Sequence, residues 1–262
     1  MGQIELELQH LKRVSRVKHQ ILTRYLPSWA VILGSAYDKL YYVDCFAGPG
    51  RYEFDGDQVD GSPIIAINAG KDFAVKNALK KLAVILIEDN PSQIAQLKLS
   101  LADTLPHPDN FKVAVNSGNS HDHIPRIVTG IRSRKSAPSF FLVDPYGHPL
   151  TIATMNDILA LNRSELFINL MWYRINMDMA NEAVRHHVTE LFGDEDWKKQ
   201  GFMSEHGAER EESFLNYFCG RLAAQYVLPF RIRYDAQEDR MTGNRTKYYL
   251  IHASNSLRLF NS

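Results

Sequence analysis

Tyr41-Tyr42-Val43-Asp44-Cys45-Phe46-Ala47-Gly48-Pro49-Gly50 is the stretch from which the fold is read. Leu40 to Val43 is a short apolar and aromatic run, the pattern of a buried strand. The run ends at Asp44 and gives way to a turn-rich loop. Glycines at 48 and 50 allow backbone angles that other residues avoid and let a ligand approach the main chain. A strand followed by a tight glycine loop is how doubly wound α/β folds hold a nucleotide-like cofactor. The dinucleotide fingerprint G-x-G-x-x-G is broken, because Glu53 stands at the third glycine position. An ordinary strand-to-helix turn is the plainer alternative.

The strands that follow extend this pattern. Leu82 to Ile87 is a continuous apolar run, as in a parallel strand buried on both faces. It ends at Glu88, the position where nucleotide-binding folds hold ribose hydroxyls. Glu88 lies 38 residues past Gly50 rather than the usual 20 or so, and the Asp- and Gly-rich insertion 51–61 accounts for part of the excess. A solvent-exposed strand end is the competing reading of Glu88. Phe111 to Val115 reads as a third strand, Phe140 to Val143 as a fourth and Glu165 to Met171 as a fifth. Phe230 to Tyr234 and Lys247 to His252 read as a closing hairpin around a turn at 242–244. Helices are expected over 4–33, from Ser62-Pro63 onward, over 91–101, over 151–161 and through much of 176–227, with Pro27 kinking or dividing the first. The expected fold is α/β and Rossmann-like, with a mostly parallel seven-stranded sheet, a C-terminal antiparallel hairpin and helices on both faces. The expected organisation is an N-terminal helical segment, 1–35, packed on a core of 36–262 with a helical insertion at about 175–227.

Composition narrows the partners. The chain has 262 residues, 45% hydrophobic and 23% charged, with 30 basic and 30 acidic residues. Zero net charge means that any basic surface is local. The first helix is the most basic segment; a solvated face accounts for it at least as well as a nucleic-acid patch. Lys18 falls on the apolar stripe of that helix and either snorkels or reaches into a cleft. Two cysteines without metal spacing suit a reducing compartment, and no apolar run is long enough to span a membrane, so a cytoplasmic protein is expected. His121 and His123 read as helix surface rather than as a metal site.

D-x-F-A-G-x-G at 44–50 resembles the first motif of S-adenosylmethionine-dependent methyltransferases, especially those that act on bases of DNA and RNA. The resemblance implies that Asp44, Phe46, Ala47, Gly48 and Gly50 wrap the methionine part of the cofactor, with Asp44 near its amino group. It also implies adenine contact from the loop after the third strand, where Asn119 is the best-placed amide; a turn or helix cap is the other reading of Asn119. Asp144-Pro145-Tyr146-Gly147, at the fourth strand tip, resembles the D/N-P-P-Y tetrad of amino-group methyltransferases with one proline fewer, and the corresponding motif of tRNA guanine-N2 methyltransferases. An exocyclic amine is a poor nucleophile because its lone pair is delocalised. Acceptors on both its hydrogens favour the reactive form and offset the charge that develops. Asp-Pro-Tyr-Gly is also good turn chemistry by itself. Trp172 and Arg174, past the fifth strand, suit base stacking and phosphate contact, although core packing explains Trp172 as well.

An ordered set along nearly the whole chain resembles the three-Cys-motif partner protein family: Lys18, Tyr25 and Trp29; 44–50; Gly61-Ser62-Pro63; 144–147; Ile168 to Trp172 with Ile175-Asn176; Phe192-Gly193 with Trp197; and Tyr248 to Leu250. That family is methyltransferase-like in fold and is named for being encoded beside a radical-SAM-like protein with a three-cysteine motif. Some members carry a winged-helix extension, and with the sequence stopping at Ser262 none is expected. The resemblance implies a methyltransferase for a base amine in DNA or RNA, a scaffold for the three-Cys-motif protein, or a methyltransferase for a peptide or small molecule.

Overall fold

The computed structural model describes residues 8–134, 137–147, 149–161, 163–234 and 245–256. The chain divides into two compact units. Among the described residues, one comprises 8–123 with 137–139; the other comprises 124–134, 140–234 and 245–256.

In the first unit α1 (Arg13–Ala36) leads into β1 (Lys39–Asp44). A hairpin follows, β2 (Arg51–Phe54) and β3 (Asp57–Asp60), then α2 (Ser62–Lys76), β4 (Lys81–Glu88), α3 (Pro91–Ala102) and β5 (Phe111–Ser117). Helix α4 (Ser120–Arg132) starts here and continues into the second unit. The strand order is β5-β4-β1, and both pairings are parallel, with Val43 beside Ile85 and Val84 beside Val113. All of β1 beyond Lys39 is buried, which is why it reads as an unbroken apolar run rather than an alternating one. Each parallel strand needs a crossover, and α2 and α3 supply those on either side of β4.

In the second unit the order of elements is β6 (Ser139–Val143), α5 (Ile152–Leu159), β7 (Ser164–Leu170), α6 (Trp172–Ala180), α7 (His186–Phe192), α8 (Gly207–Gly220), β8 (Tyr226–Arg233) and β9 (Thr246–Ser254). The strand order is β6-β7-β9-β8, and β9 runs antiparallel to both β7 and β8. The sheet is seven-stranded and mostly parallel, as the sequence predicts, with the closing hairpin antiparallel. An aromatic cluster fills the space under α7 and α8, where Trp172, Phe192 and Phe202 each lie within about 6 Å of Phe214 by ring centroid.

Several expectations change in detail. The first helix begins at Arg13 rather than at residue 4; residues 1–7 lie outside the described residues. Residues 9–11 instead run beside β2, with Glu53 N donating to Gln9 O and Leu11 N to Glu53 O. Pro27 sits inside α1 without ending it. The insertion 51–61 is not a loop but the β2–β3 hairpin, turning at Asp55-Gly56. Gly61, not Ser62, caps α2. The turn placed at 242–244 lies outside the described residues.

Candidate active site

In the first unit the strand tips are laced together by main-chain amides. Asp44 is fully buried; its Oδ2 accepts from the Tyr42 hydroxyl and its Oδ1 from Phe46 N, each at 3.3 Å. Ala47 N then donates to Ile87 O at 2.8 Å, and Gly48 N to Glu88 Oε2 at 2.7 Å. The other oxygen of Glu88 accepts from Asp89 N at 3.1 Å and Asn90 N at 2.9 Å. Glu88 is therefore a buried clamp between the glycine loop and the start of α3, not an exposed strand end. Asn90 caps α3 by accepting from Ser92 N and Gln93 N.

The two loop glycines are required for different reasons. Gly48 has φ +66°, and a Cβ there would stand 2.7 Å from the Tyr52 hydroxyl. Gly50 has φ +83°, and its Cβ would press on Ser100 and Leu97 of α3 at 3.0 and 3.1 Å. Ser100 Oγ also donates to Pro49 O at 3.0 Å, so the loop is docked on α3. Beside it Gln93 Oε1 is buried with no hydrogen-bond partner, 3.8 Å from where a Cβ on Gly48 would sit. A buried acceptor left unpaired costs about 1–3 kcal/mol. Asp44, Glu88 and Gln93 together form an acceptor-rich surround, suited to a ligand that brings ammonium and hydroxyl donors.

At the tip of β5, Gly118 N donates to Glu88 O at 2.9 Å. Asn119 Oδ1 accepts from His121 N at 2.8 Å, so Asn119 acts as a cap on the first turn of α4. The Ser120 hydroxyl donates to Cys45 O and fixes that helix start to the β1 tip. Lys18 is buried on the inner face of α1 rather than snorkelling to solvent. His121 and His123 stand in or at the start of α4, and no cluster of metal-ligating side chains occurs among the described residues.

In the second unit Asp144, Pro145 and Tyr146 follow β6 directly. Asn169, on β7, donates from Nδ2 to Asp144 Oδ1 at 2.6 Å. Its own Oδ1 is buried without a hydrogen-bond partner. Burial, and after it the Asp144 carboxylate, pushes the Tyr248 phenol above its ordinary range. Pro145 is buried, whereas Tyr146 is 78% exposed and presents its ring to solvent. Trp172 is packed in the aromatic cluster, 5.1 Å from Phe214. Arg174 Nε donates to Asp178 Oδ2 at 3.2 Å within α6.

Sequence reasoning gave Asn169 no role beyond its place in the motif 168–172, and it passed over Gln93. The signal for Asn169 is an amide inside the apolar run Leu166-Phe167-Ile168-Asn169-Leu170, since a polar group in a buried strand needs a partner. Gln93 carries no comparable signal, because a glutamine in the first turn of a helix is commonplace.

No helix among the described residues is long and apolar enough to cross a membrane. No protein-family model and no curated protein matches the chain. Solved structures do. PH0793 from Pyrococcus horikoshii, described as a candidate transferase, aligns at TM-score 0.30 and 10% identity over 88% of this chain and 63% of its own. Protein LPL1258 from Legionella pneumophila strain Philadelphia 1, of family DUF519, aligns at TM-score 0.50 and 14% identity, covering 91% of this chain and 84% of that one. This last likeness extends over nearly the whole chain and is one of fold.

Proposed function

We propose that this protein is an S-adenosylmethionine-dependent methyltransferase acting on an exocyclic base amine of DNA or RNA, and a cytoplasmic member of the three-Cys-motif partner family. The observation that carries the reading is the tip of β6, where a carboxylate steadied by Asn169 stands two residues from an exposed tyrosine ring. The acceptor-rich glycine loop of the first unit supports it. The cofactor would be held by Asp44, Phe46, Ala47, Gly48, Gly50 and Glu88, with Gln93 joining them; Asn119, which caps α4, would border the adenine. When bound, it supplies a methyl group made electrophilic by its sulfonium.

The chain's own residues then act on the acceptor. Asp144 accepts a hydrogen bond from the target amine and offsets its developing positive charge, while the Pro145 carbonyl accepts a hydrogen bond from the second amine hydrogen. Asn169 fixes which way the Asp144 carboxylate points. Tyr146 stacks on the base. Lys18, Trp172 and Arg174 remain proposed substrate contacts, Trp172 only through the edge of its packed ring. In this reading 1–35 packs on a methyltransferase-like domain of 36–262 that carries a helical insertion at about 175–227.

Calorimetry with S-adenosylmethionine, followed by transfer of labelled methyl to DNA, RNA, peptides and small molecules, tests the proposal. Transfer to nucleic acid bears it out, and no cofactor binding at millimolar ligand sinks it. A second reading, a scaffold for the three-Cys-motif protein, is favoured by β8. That edge strand exposes Leu228 and Phe230, at 40% and 53%, and an exposed apolar edge is a template for a partner's strand. Cofactor binding without turnover, in the presence of every acceptor tried, would favour it.

A further inference from the structure

We propose that a cleft wholly within the second unit binds the phosphodiester backbone of single-stranded nucleic acid. It lies between the starts of α6 and α8, the end of β8 and the start of β9, and encloses about 530 Å³. Four arginines line it, Arg210, Arg231, Arg233 and Arg245, against one carboxylate, Glu211. That leaves an excess of three positive charges in one concavity of a chain whose net charge is zero.

Glu211 is already committed. Its Oε1 accepts from the Thr246 and Tyr249 hydroxyls and pairs with Arg231 Nε at 3.3 Å. It holds Arg231 in place rather than offering a cation site. Arg210 is likewise fixed through Nε, which donates to Asn176 Oδ1 at 2.8 Å. Both arginines therefore keep their terminal N–H groups for a forked contact to phosphate oxygens. Arg233 and Arg245 are exposed and make no ion pair among the described residues. Beside them the Tyr173 ring is 41% exposed and is braced edge-on by Tyr234, with centroids 6.0 Å apart. Arginines that follow a backbone, together with a held ring that takes an unpaired base, are the combination that recognises single strands.

This inference rests on the nucleic-acid reading above and says where that acceptor is gripped. The test is anisotropy of labelled single-stranded RNA and DNA oligonucleotides on the full chain, from about 50 to about 200 mM salt. Arg233→Ala/Arg245→Ala is expected to weaken binding about tenfold or more. It should also flatten the log–log salt slope by roughly 1.4, since each single-strand phosphate contact contributes about 0.7. Tyr173→Ala should lower affinity while leaving the slope alone. Unchanged affinity and slope in the double variant overturn the proposal. So does equal competition by a polyglutamate peptide of matched charge, which would make the cleft a general anion trap. Calorimetry with S-adenosylmethionine on the same samples separates the two readings. Arginine-dependent oligonucleotide binding without cofactor binding keeps the cleft and loses the methyltransferase. Methyl transfer that ignores the double variant does the reverse.

Discussion

Asn169 Nδ2 reaches Asp144 Oδ1 at 2.6 Å, from the neighbouring strand of the sheet. The amide is buried, and its own oxygen has no hydrogen-bond partner. Asn169→Asp replaces the donor with a second carboxylate, placing like charges at one strand tip. Methyl transfer should fall by about 10²-fold or more, with cofactor affinity within about twofold of wild type, because an electrostatic group has lost its orientation. Asn169→Ala should cost less in turnover, since it removes the donor without adding a charge. Steady-state kinetics beside calorimetry read both; equal turnover per folded molecule in all three proteins would make Asn169 a packing residue.

Asp144 and Tyr146 should separate cleanly. Asp144→Ala is expected to reduce kcat by about 10²–10³-fold, the usual cost of one preorganised electrostatic group. Tyr146→Ala should raise KM and leave kcat nearly unchanged, because a stacked base is worth roughly 1–3 kcal/mol. A residue that only shaped the turn would behave differently: its loss would lower Tm and leave turnover per folded molecule intact.

What could be read in the sequence was local. The strand, glycine loop and acidic tip at 44–50 and 88 need only a few neighbouring residues to specify them, and they form as expected. Two features failed because distant pairing overrides local pattern. Residues 9–11 keep helical spacing with α1, yet Leu11 and Gln9 bond to Glu53 and hold the segment extended. The β2–β3 hairpin hid in a polar stretch, although Asp55-Gly56, at φ 52° and 88°, is the residue pair that a two-residue hairpin turn favours. The arginine cleft could not be read at all. Its residues lie between 172 and 246, and only the fold brings them to one place.

Cys219 should be a slow thiol. Burial pushes it from the ordinary 9.0 to about 11. Only the thiolate reacts, so at pH 8 about one molecule in a thousand is competent at any moment. Cys45 is fully buried, and burial, with Asp44 after it, raises its thiol well above the ordinary 9.0. An aromatic disulfide reagent should therefore label the native protein slowly at pH 8, faster by about tenfold per pH unit, and titrate both cysteines after denaturation. Because folding favours the protonated thiol of Cys219, its contribution to stability is intact below pH 9.0 and is lost as pH rises towards about 11. Prompt labelling of one equivalent at pH 8 would contradict this.

Gly48 tests whether the shape of the loop or merely its clearance matters. Gly48→Ala puts a side chain at φ +66° and a Cβ 2.7 Å from the Tyr52 hydroxyl. The left-handed backbone costs about 1–2 kcal/mol, and the contact adds to it. Tyr52→Phe removes the hydroxyl but not the backbone strain. The double variant should therefore regain part of the Tm lost by Gly48→Ala. It should not regain cofactor affinity, because a shifted residue 48 no longer donates to Glu88, and that bond sets the curve of the loop. Thermal melts with and without S-adenosylmethionine, with calorimetry on the same three proteins, measure the two quantities separately. Restored affinity in the double variant would mean that the site needs only room at Gly48, and that the Glu88 clamp is dispensable for binding.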